Sequence, residues 1–171
     1  SIPRFMRIGH DAIQQTRAPW FGLEMGRNTW PAQLGLAGLV AMTAPDLRRA
    51  CQAIAGFELL SSFNARGASS FSLEEGKPAL KFYSVSPYNA YNLFVVDSVL
   101  SSWAHILSAI SGQKDGILEA VDIEFSDPGY ADMYRRYFKC PVNFGAGSNR
   151  LVLQNEALKL PVIQSCHSVH E

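Results

Sequence analysis

The run from Leu93 to Ile110 constrains this chain more than any other stretch. Leu93, Val96, Leu100, Trp103, Leu107 and Ile110 recur at spacings of three and four, and Val95, Val99 and Ile106 widen the stripe. A helix with so broad an apolar face needs a cover, either a sheet of the same chain or a second molecule. Ser86-Pro87 is predicted to open this helix and Gly112 to stop it.

The flanking sequence offers a sheet. "FELLSSF" at 57–63, "SSFSLEE" at 69–75 and "ALKFYSV" at 79–85 are strand-like, and the turns "NARG" and "EGKP" between them suit an antiparallel meander. After the long helix, "LEAVDIEFS" sets Val121, Ile123 and Phe125 against Asp122 and Glu124, the alternation of a half-buried strand. Asp127-Pro128 then predicts a helix start, and Tyr130, Met133, Tyr134, Tyr137 and Phe138 follow at helical spacing up to Pro141. A last strand is predicted over 148–153, and a helical turn in "NEALKLP".

On the N-terminal side, Pro3, Phe5, Ile8, Ala12 and Ile13 predict a helix to about Gln15 with one core face. Gly35 and Gly38 in "PAQLGLAGLVAM" suit a short, closely packed helix. Thr43 with Asp46 resembles a capping box for a helix whose core face is Leu47, Ala50, Cys51 and Ile54, ended by Gly56. The fold class is therefore α+β: an antiparallel sheet of about four or five strands packed against several helices, one of them long.

Composition excludes several functions. Lys plus Arg and Asp plus Glu are both 15, so the 171-residue chain is neutral and lacks the clustered charge that counterion release onto DNA requires. Arg48-Arg49 and Arg135-Arg136 read as solvated helix faces. Cys51, Cys140 and Cys166 cannot pair completely, as expected of reduced thiols in the cytoplasm. The apolar runs read as too short and too glycine-rich for a membrane span, so a cytoplasmic location without membrane partners is expected. The opening "SIPRFMRIGH" has no initiator Met and reads as continuing upstream.

No catalytic or metal constellation emerges. "GAGSNR" holds Arg150 where a dinucleotide fingerprint needs glycine and precedes a strand, and it lacks the GK[ST] ending of a phosphate loop. Gly145 and Gly147 read instead as turn residues with positive φ. Cys140 has no base beside it in sequence, and Cys166, His167 and His170 lie together in a polar tail without a fourth ligand. Asp122 and Glu124 share a strand face in the manner of ordinary outward-facing residues. His105 reads as a surface or hydrogen-bonded histidine that could line a pocket. No cofactor, metal or enzymatic activity is expected.

The segment "VDIEFSDPGYADMYRRYFKCPVNFGAGSNRLVLQNEALKLP" resembles the N-terminal effector domain of AraC/XylS-type bacterial transcription regulators, in the branch known as arabinose-binding domains. Phe125, Pro128, Tyr134, Phe138, Pro141, Val142, Phe144, Gly145, Asn149, Leu151, Leu158 and Pro161 carry the match. "FGLEMG" and "QLGLAGLVAMTAPDLRRAC" extend it upstream, so it covers about Ile2 to Pro161. The resemblance implies a regulatory domain over 1–161, with 162–171 as the start of a linker to a helix-turn-helix domain that this chain does not contain. DNA would be contacted only through that domain.

It also implies a small-molecule effector, fatty-acid-like or amino-acid-derived, and a homodimer. The expected site is an apolar pocket between sheet and long helix, lined by Phe57, Phe82, Tyr83, Tyr88, Tyr91 and Trp103. The alternative is a pure dimerisation module in which the long helix supplies the interface.

Overall fold

The computed structural model describes residues 2–58, 67–73, 76–84, 88–89 and 92–163. In chain order these form α1 (Ile2–Thr16), α2 (Phe21–Arg27), α3 (Leu36–Thr43), α4 (Leu47–Glu58), β1 (Gly67–Ser72), β2 (Ala79–Ser84), α5 (Leu93–Ser111), β3 (Leu118–Ile123), α6 (Ala131–Phe138), β4 (Val142–Phe144) and β5 (Asn149–Leu153). Short 3-10 turns occupy Pro31–Leu34 and Asn155–Lys159.

The α+β expectation holds. One five-stranded sheet has the order β1-β2-β5-β3-β4. Its pairs are antiparallel except β3 with β4, which run parallel. β4 has no counterpart in the sequence reading because three residues are too few to show alternation. The expected strand at 57–63 fails at its start: Phe57 and Glu58 are the last residues of α4, which passes through the exposed Gly56. Residues 59–63 lie outside the described residues.

α5 is the centre of the core. Val96, Leu100, Trp103, Ile106 and Leu107 are fully buried and Ile110 is nearly so, among Leu80, Phe82, Val121, Ile123, Leu151 and Leu153 of the sheet. By length and composition this helix could cross a membrane, contrary to the sequence reading. Its apolar surface is instead covered by the chain's own sheet and helices, which also removes the long helix as a dimer interface.

α2 lies against α5 at a separation only glycine permits. A Cβ on Gly22 would stand 2.6 Å from the Phe94 carbonyl oxygen, and one on Gly26 would stand 2.6 Å from both Ser98 O and Ser101 Cβ. The Ser101 hydroxyl donates to Leu23 O at 2.7 Å across the same contact.

Several helix starts differ from expectation. The backbone N–H of Arg49 donates to Asp46 Oδ1 at 2.8 Å, so Asp46 caps α4. Thr43 ends α3, and its hydroxyl donates to Val40 O. α5 begins at Leu93 after Asn92, later than Ser86-Pro87 would set it. Asp127 accepts from Gly129 N–H at 2.8 Å in a turn, and α6 begins only at Ala131. Gly112 does end α5, at φ +68°, and Gly145 has the expected positive φ whereas Gly147 does not. In α1, Ile8 is 58% exposed instead of facing the core, and Gly9 lies against the Phe94 ring.

The chain end returns to α5. Leu47 N–H donates to Leu160 O, and Ile163 N–H donates to Ile110 O at 2.7 Å. The last described residue therefore sits on the C-terminal turn of the core helix.

Candidate functional site

Three helices run side by side in the same direction. Gly22 and Gly26 of α2 meet Phe94 and Ser98 of α5 in that order. At the start of α6, Tyr130 packs edge-on against Trp20 and donates its hydroxyl to Pro19 O at 3.2 Å. Toward its end, Tyr137 donates its hydroxyl to the Glu24 carboxylate, and the Arg27 guanidinium stands 5.6 Å from the centre of the Tyr137 ring.

The C-terminal ends of α2, α5 and α6 and the loop after α5 enclose a cleft of about 400 Å³. Its polar wall is Arg27, His105, Lys114, Asp115, Arg136 and Lys139, and Ala104, Ile117, Leu118 and the Tyr137 and Phe138 rings supply apolar surface. Four cations thus face one carboxylate.

Asp115 is taken by Lys139 at 3.2 Å in an exposed pair. Arg136 and Lys114 have no ion-pair partner among the described residues. Partial burial, with the Arg27 charge second, holds His105 below its ordinary pKa, so it is neutral at physiological pH.

Behind this cleft lies a buried acid. Asp97 on α5 is 1% exposed. Tyr134 donates its hydroxyl to Asp97 Oδ1 at 2.8 Å, and Oδ2 has no hydrogen-bond partner. Desolvation pushes the Asp97 carboxyl up to about 8, partly offset by the Tyr134 bond, so it is largely protonated at neutral pH. Burial also raises Tyr134, and the Tyr130 ring stacks on it at 5.6 Å.

A second polar cluster joins the sheet to the chain before α5. Asn149 is fully buried. Its Oδ1 accepts from Glu124 N–H at 2.9 Å, and its Nδ2 donates to Tyr88 Oη at 2.7 Å and Glu124 Oε2 at 3.1 Å. Tyr88 in turn donates to the Glu124 carboxylate. Arg150 Nε donates to Asp122 Oδ2 at 2.7 Å, and Asn143 Nδ2 to Asp122 Oδ1 at 2.8 Å. Asp122 and Glu124 are therefore each held in structural bonds, and the "NR" of "GAGSNR" is the node that holds them.

The expected aromatic lining is divided. Phe82 and Trp103 pack edge to face at 6.3 Å inside the core, with Trp103 fully buried. Tyr83 points from the other face of β2 and is 66% exposed. Tyr88 sits in the Glu124–Asn149 cluster, edge-on to Phe125. The Phe57 side chain and Tyr91 lie outside the described residues, as do Cys166, His167 and His170.

Burial pushes the Cys51 and Cys140 thiols up to about 12, which leaves both protonated and poorly nucleophilic. Among the described residues no three His, Cys, Asp or Glu side chains converge as a metal site would need. His105 does line a cleft. The four cations beside it were not legible as a group, because they come from α2, the α5–β3 loop and the α6 terminus. The one local signal was the Arg135-Arg136 pair, of which Arg136 turns into the cleft.

Comparison with known proteins supplies the relatives. Residues 1–162 match the family described as the arabinose-binding domain of AraC transcription regulators, N-terminal. The crystal structure of the transcriptional regulator CdpR from Pseudomonas aeruginosa superposes with a TM-score of 0.71 at 16% identity, covering 96% of this chain. This chain spans 58% of that regulator's length. Among curated proteins, none matches in sequence.

Proposed function

This chain belongs to the family of N-terminal arabinose-binding domains of AraC transcription regulators, and from that membership we propose that it senses a small effector in the cleft at the ends of α2, α5 and α6. The family name does not fix the ligand as a sugar. The reading places the domain in the cytoplasm, as the regulatory part of a protein whose DNA-binding part lies elsewhere.

One observation carries the reading beyond family membership. The loop holding Lys114 and Asp115, which closes the cleft, leaves α5 at Ser111, the residue after Ile110, and the Ile110 carbonyl holds the backbone of Ile163. A Cβ on Gly112 would stand 2.4 Å from Ile163 Cδ1, so loop and chain exit touch. An effector that draws α2, α6 and this loop together acts on the segment that leads onward from Ile163. Such a device works by population shift: the effector must bind one arrangement of the exit better than the other.

Thermal-shift screening of the 171-residue chain against small molecules of varied charge tests this. A ligand that raises the melting temperature, and whose effect is lost when the cleft is filled by Ala104→Trp, supports sensing. A panel in which no compound shifts melting defeats it.

Dimerisation is the second reading, carried by different residues from those first expected. Trp30, Leu36 and Leu39, on the turn and helix of α3, are 68%, 59% and 52% exposed. Large apolar side chains concentrated on one segment mark a contact surface. If they pair two copies, sedimentation velocity will show a dimer that Leu39→Glu converts to monomer. A wild-type monomer at high concentration removes this reading.

A further inference from the structure

The charge in the cleft can be weighed. Four cationic side chains and one carboxylate give a surplus of three positive charges within one 400 Å³ space. The last residues of α2 and α6, Arg27 and Phe138, line the cleft, and each helix end carries about half a negative charge. Basic residues at helix ends often serve only to offset that dipole, but here the offset falls short: about one negative charge meets a surplus of three.

The structure does not satisfy the remainder itself. Asp115 is held by Lys139, and Glu24 accepts from Tyr137 outside the polar wall. Arg136 and Lys114 therefore bring guanidinium and ammonium donors to the cleft with no acceptor of the protein's own among the described residues. The four cations are exposed side chains, and in a chain of zero net charge their excess is local to this cleft.

From these observations we infer that the cleft binds a small organic anion, its carboxylate or phosphate groups held by Arg136 and Lys114 and its body lying on the Tyr137 ring. The inference rests on the sensing reading above and names the ligand class of that same site. Arg136 presents a planar fork suited to two oxygens at once, and Lys114 a point charge, so the pair suits a ligand with more than one anionic oxygen. The apolar surface of Ala104, Ile117, Leu118 and Phe138 takes the uncharged part. A cleft of this volume is at the lower end of small-molecule sites, which favours a compact metabolite over a long chain.

Calorimetric titration of the 171-residue chain at low ionic strength tests the inference, with citrate as the carboxylate probe, inorganic phosphate as the phosphate probe, and glycerol and putrescine as neutral and cationic controls. At least one anion is expected to bind, and raising the salt is expected to weaken it. Arg136→Ala and Lys114→Ala should each reduce affinity about tenfold. Arg135→Ala is the internal control, because Arg135 is paired with Asp132 at 2.8 Å and does not line the cleft.

Binding of citrate alone assigns carboxylate chemistry, and binding of phosphate alone assigns phosphate. Equal losses in Arg135→Ala and Arg136→Ala would overturn the inference, since the anion would then be sampling general surface charge. If a neutral or cationic compound binds, shifts the His105 and Tyr137 resonances and is unaffected by Arg136→Ala, sensing stands and the anion class falls. If none of the four binds, the anion inference falls, and sensing then stands or falls on the wider thermal-shift panel.

Discussion

Tyr134 on α6 donates its hydroxyl to Asp97 on α5 at 2.8 Å, and the second oxygen of that carboxyl has no partner in the protein. This is the one buried carboxyl among the described residues, and it lies where α2, α5 and α6 meet. Its Cβ would also stand only 2.8 Å from a Cβ on Gly22. The contact that aligns the three helices over the cleft is therefore built on a group with a strongly perturbed ionisation.

Stability should depend on pH through Asp97. Its folded pKa is raised from 3.8 to about 8, so the folded state holds a proton that the unfolded chain releases near pH 4. Between those values folding takes up a proton, and stability falls as pH rises from about 4 to about 8, after which this contribution is flat. Asp97→Asn keeps an acceptor for Tyr134 and removes the ionisation. It should raise stability at pH 8 by roughly 2–5 kcal/mol and flatten the slope between pH 5 and 8. Urea unfolding of both proteins at pH 5, 6.5 and 8 measures this, and parallel profiles would show that Asp97 does not titrate in that range.

Asn149 should tolerate no substitution. Its side chain serves Glu124 N–H, Phe82 O, Tyr88 Oη and the Glu124 carboxylate at once, in a site with no access to water. Asn149→Leu removes the acceptor of Glu124 N–H and the donor to the half-buried Tyr88–Glu124 pair, and should cost about 3 kcal/mol. Asn149→Asp should be worse at neutral pH, because it sets a second carboxylate against Glu124. Denaturant midpoints rank the three proteins.

The α2–α5 contact makes a steric prediction. Gly26→Ala introduces a Cβ 2.6 Å from Ser98 O and Ser101 Cβ, and helix backbone on both sides leaves it little room to relax. A loss of about 2 kcal/mol is expected, whereas Gly56→Ala, exposed in α4 with open space at its Cβ, should stabilise by about 0.5–1 kcal/mol. Thermal melting of the two variants against the parent shows opposite shifts if the packing is as described.

The sequence shows some of this architecture openly and conceals the rest for physical reasons. The α5 stripe was legible because 19 residues give five turns over which a period can be counted. β3 was legible by alternation, and β1, β2 and β5 as strand-like runs bounded by turns, whereas the cap of α4 is Asp46 and not the Thr43 with which it resembled a capping box. β4 was not, because its pairing with β3 is parallel and long-range. Helix starts were set too early wherever a good local turn preceded the helix, as Asp127 shows: its carboxyl closes a turn with Gly129 and leaves α6 uncapped by a side chain.

The site was the least legible part. Aromatic residues drew attention to Phe82 and Trp103, which pack against each other, while Arg27, Lys114, Arg136 and Lys139 are ordinary surface cations one at a time. Only the common direction of three helices brings them to one place.

The titration of His105 follows from that convergence. Partial burial first, and the Arg27 charge second, lower its pKa from the ordinary 6.5. It shares the cleft with Arg27 of α2, Arg136, Tyr137 and Lys139 of α6, and Lys114 and Asp115 of the following loop. Because the folded state disfavours protonation, His105 contributes no penalty above the unfolded pKa, and stability is lost as pH falls below about 6.5 toward the folded value. Arg27→Ala removes the smaller cause and should raise the His105 pKa part of the way back. An anion held by Arg136 and Lys114 should raise it further, by favouring the imidazolium, and should for the same reason bind more tightly as pH falls from 7 to 5.5. The imidazole C–H resonances followed by NMR across that range report both effects. A His105 pKa unmoved by Arg27→Ala would place the guanidinium away from the imidazole and break the electrostatic account of the cleft.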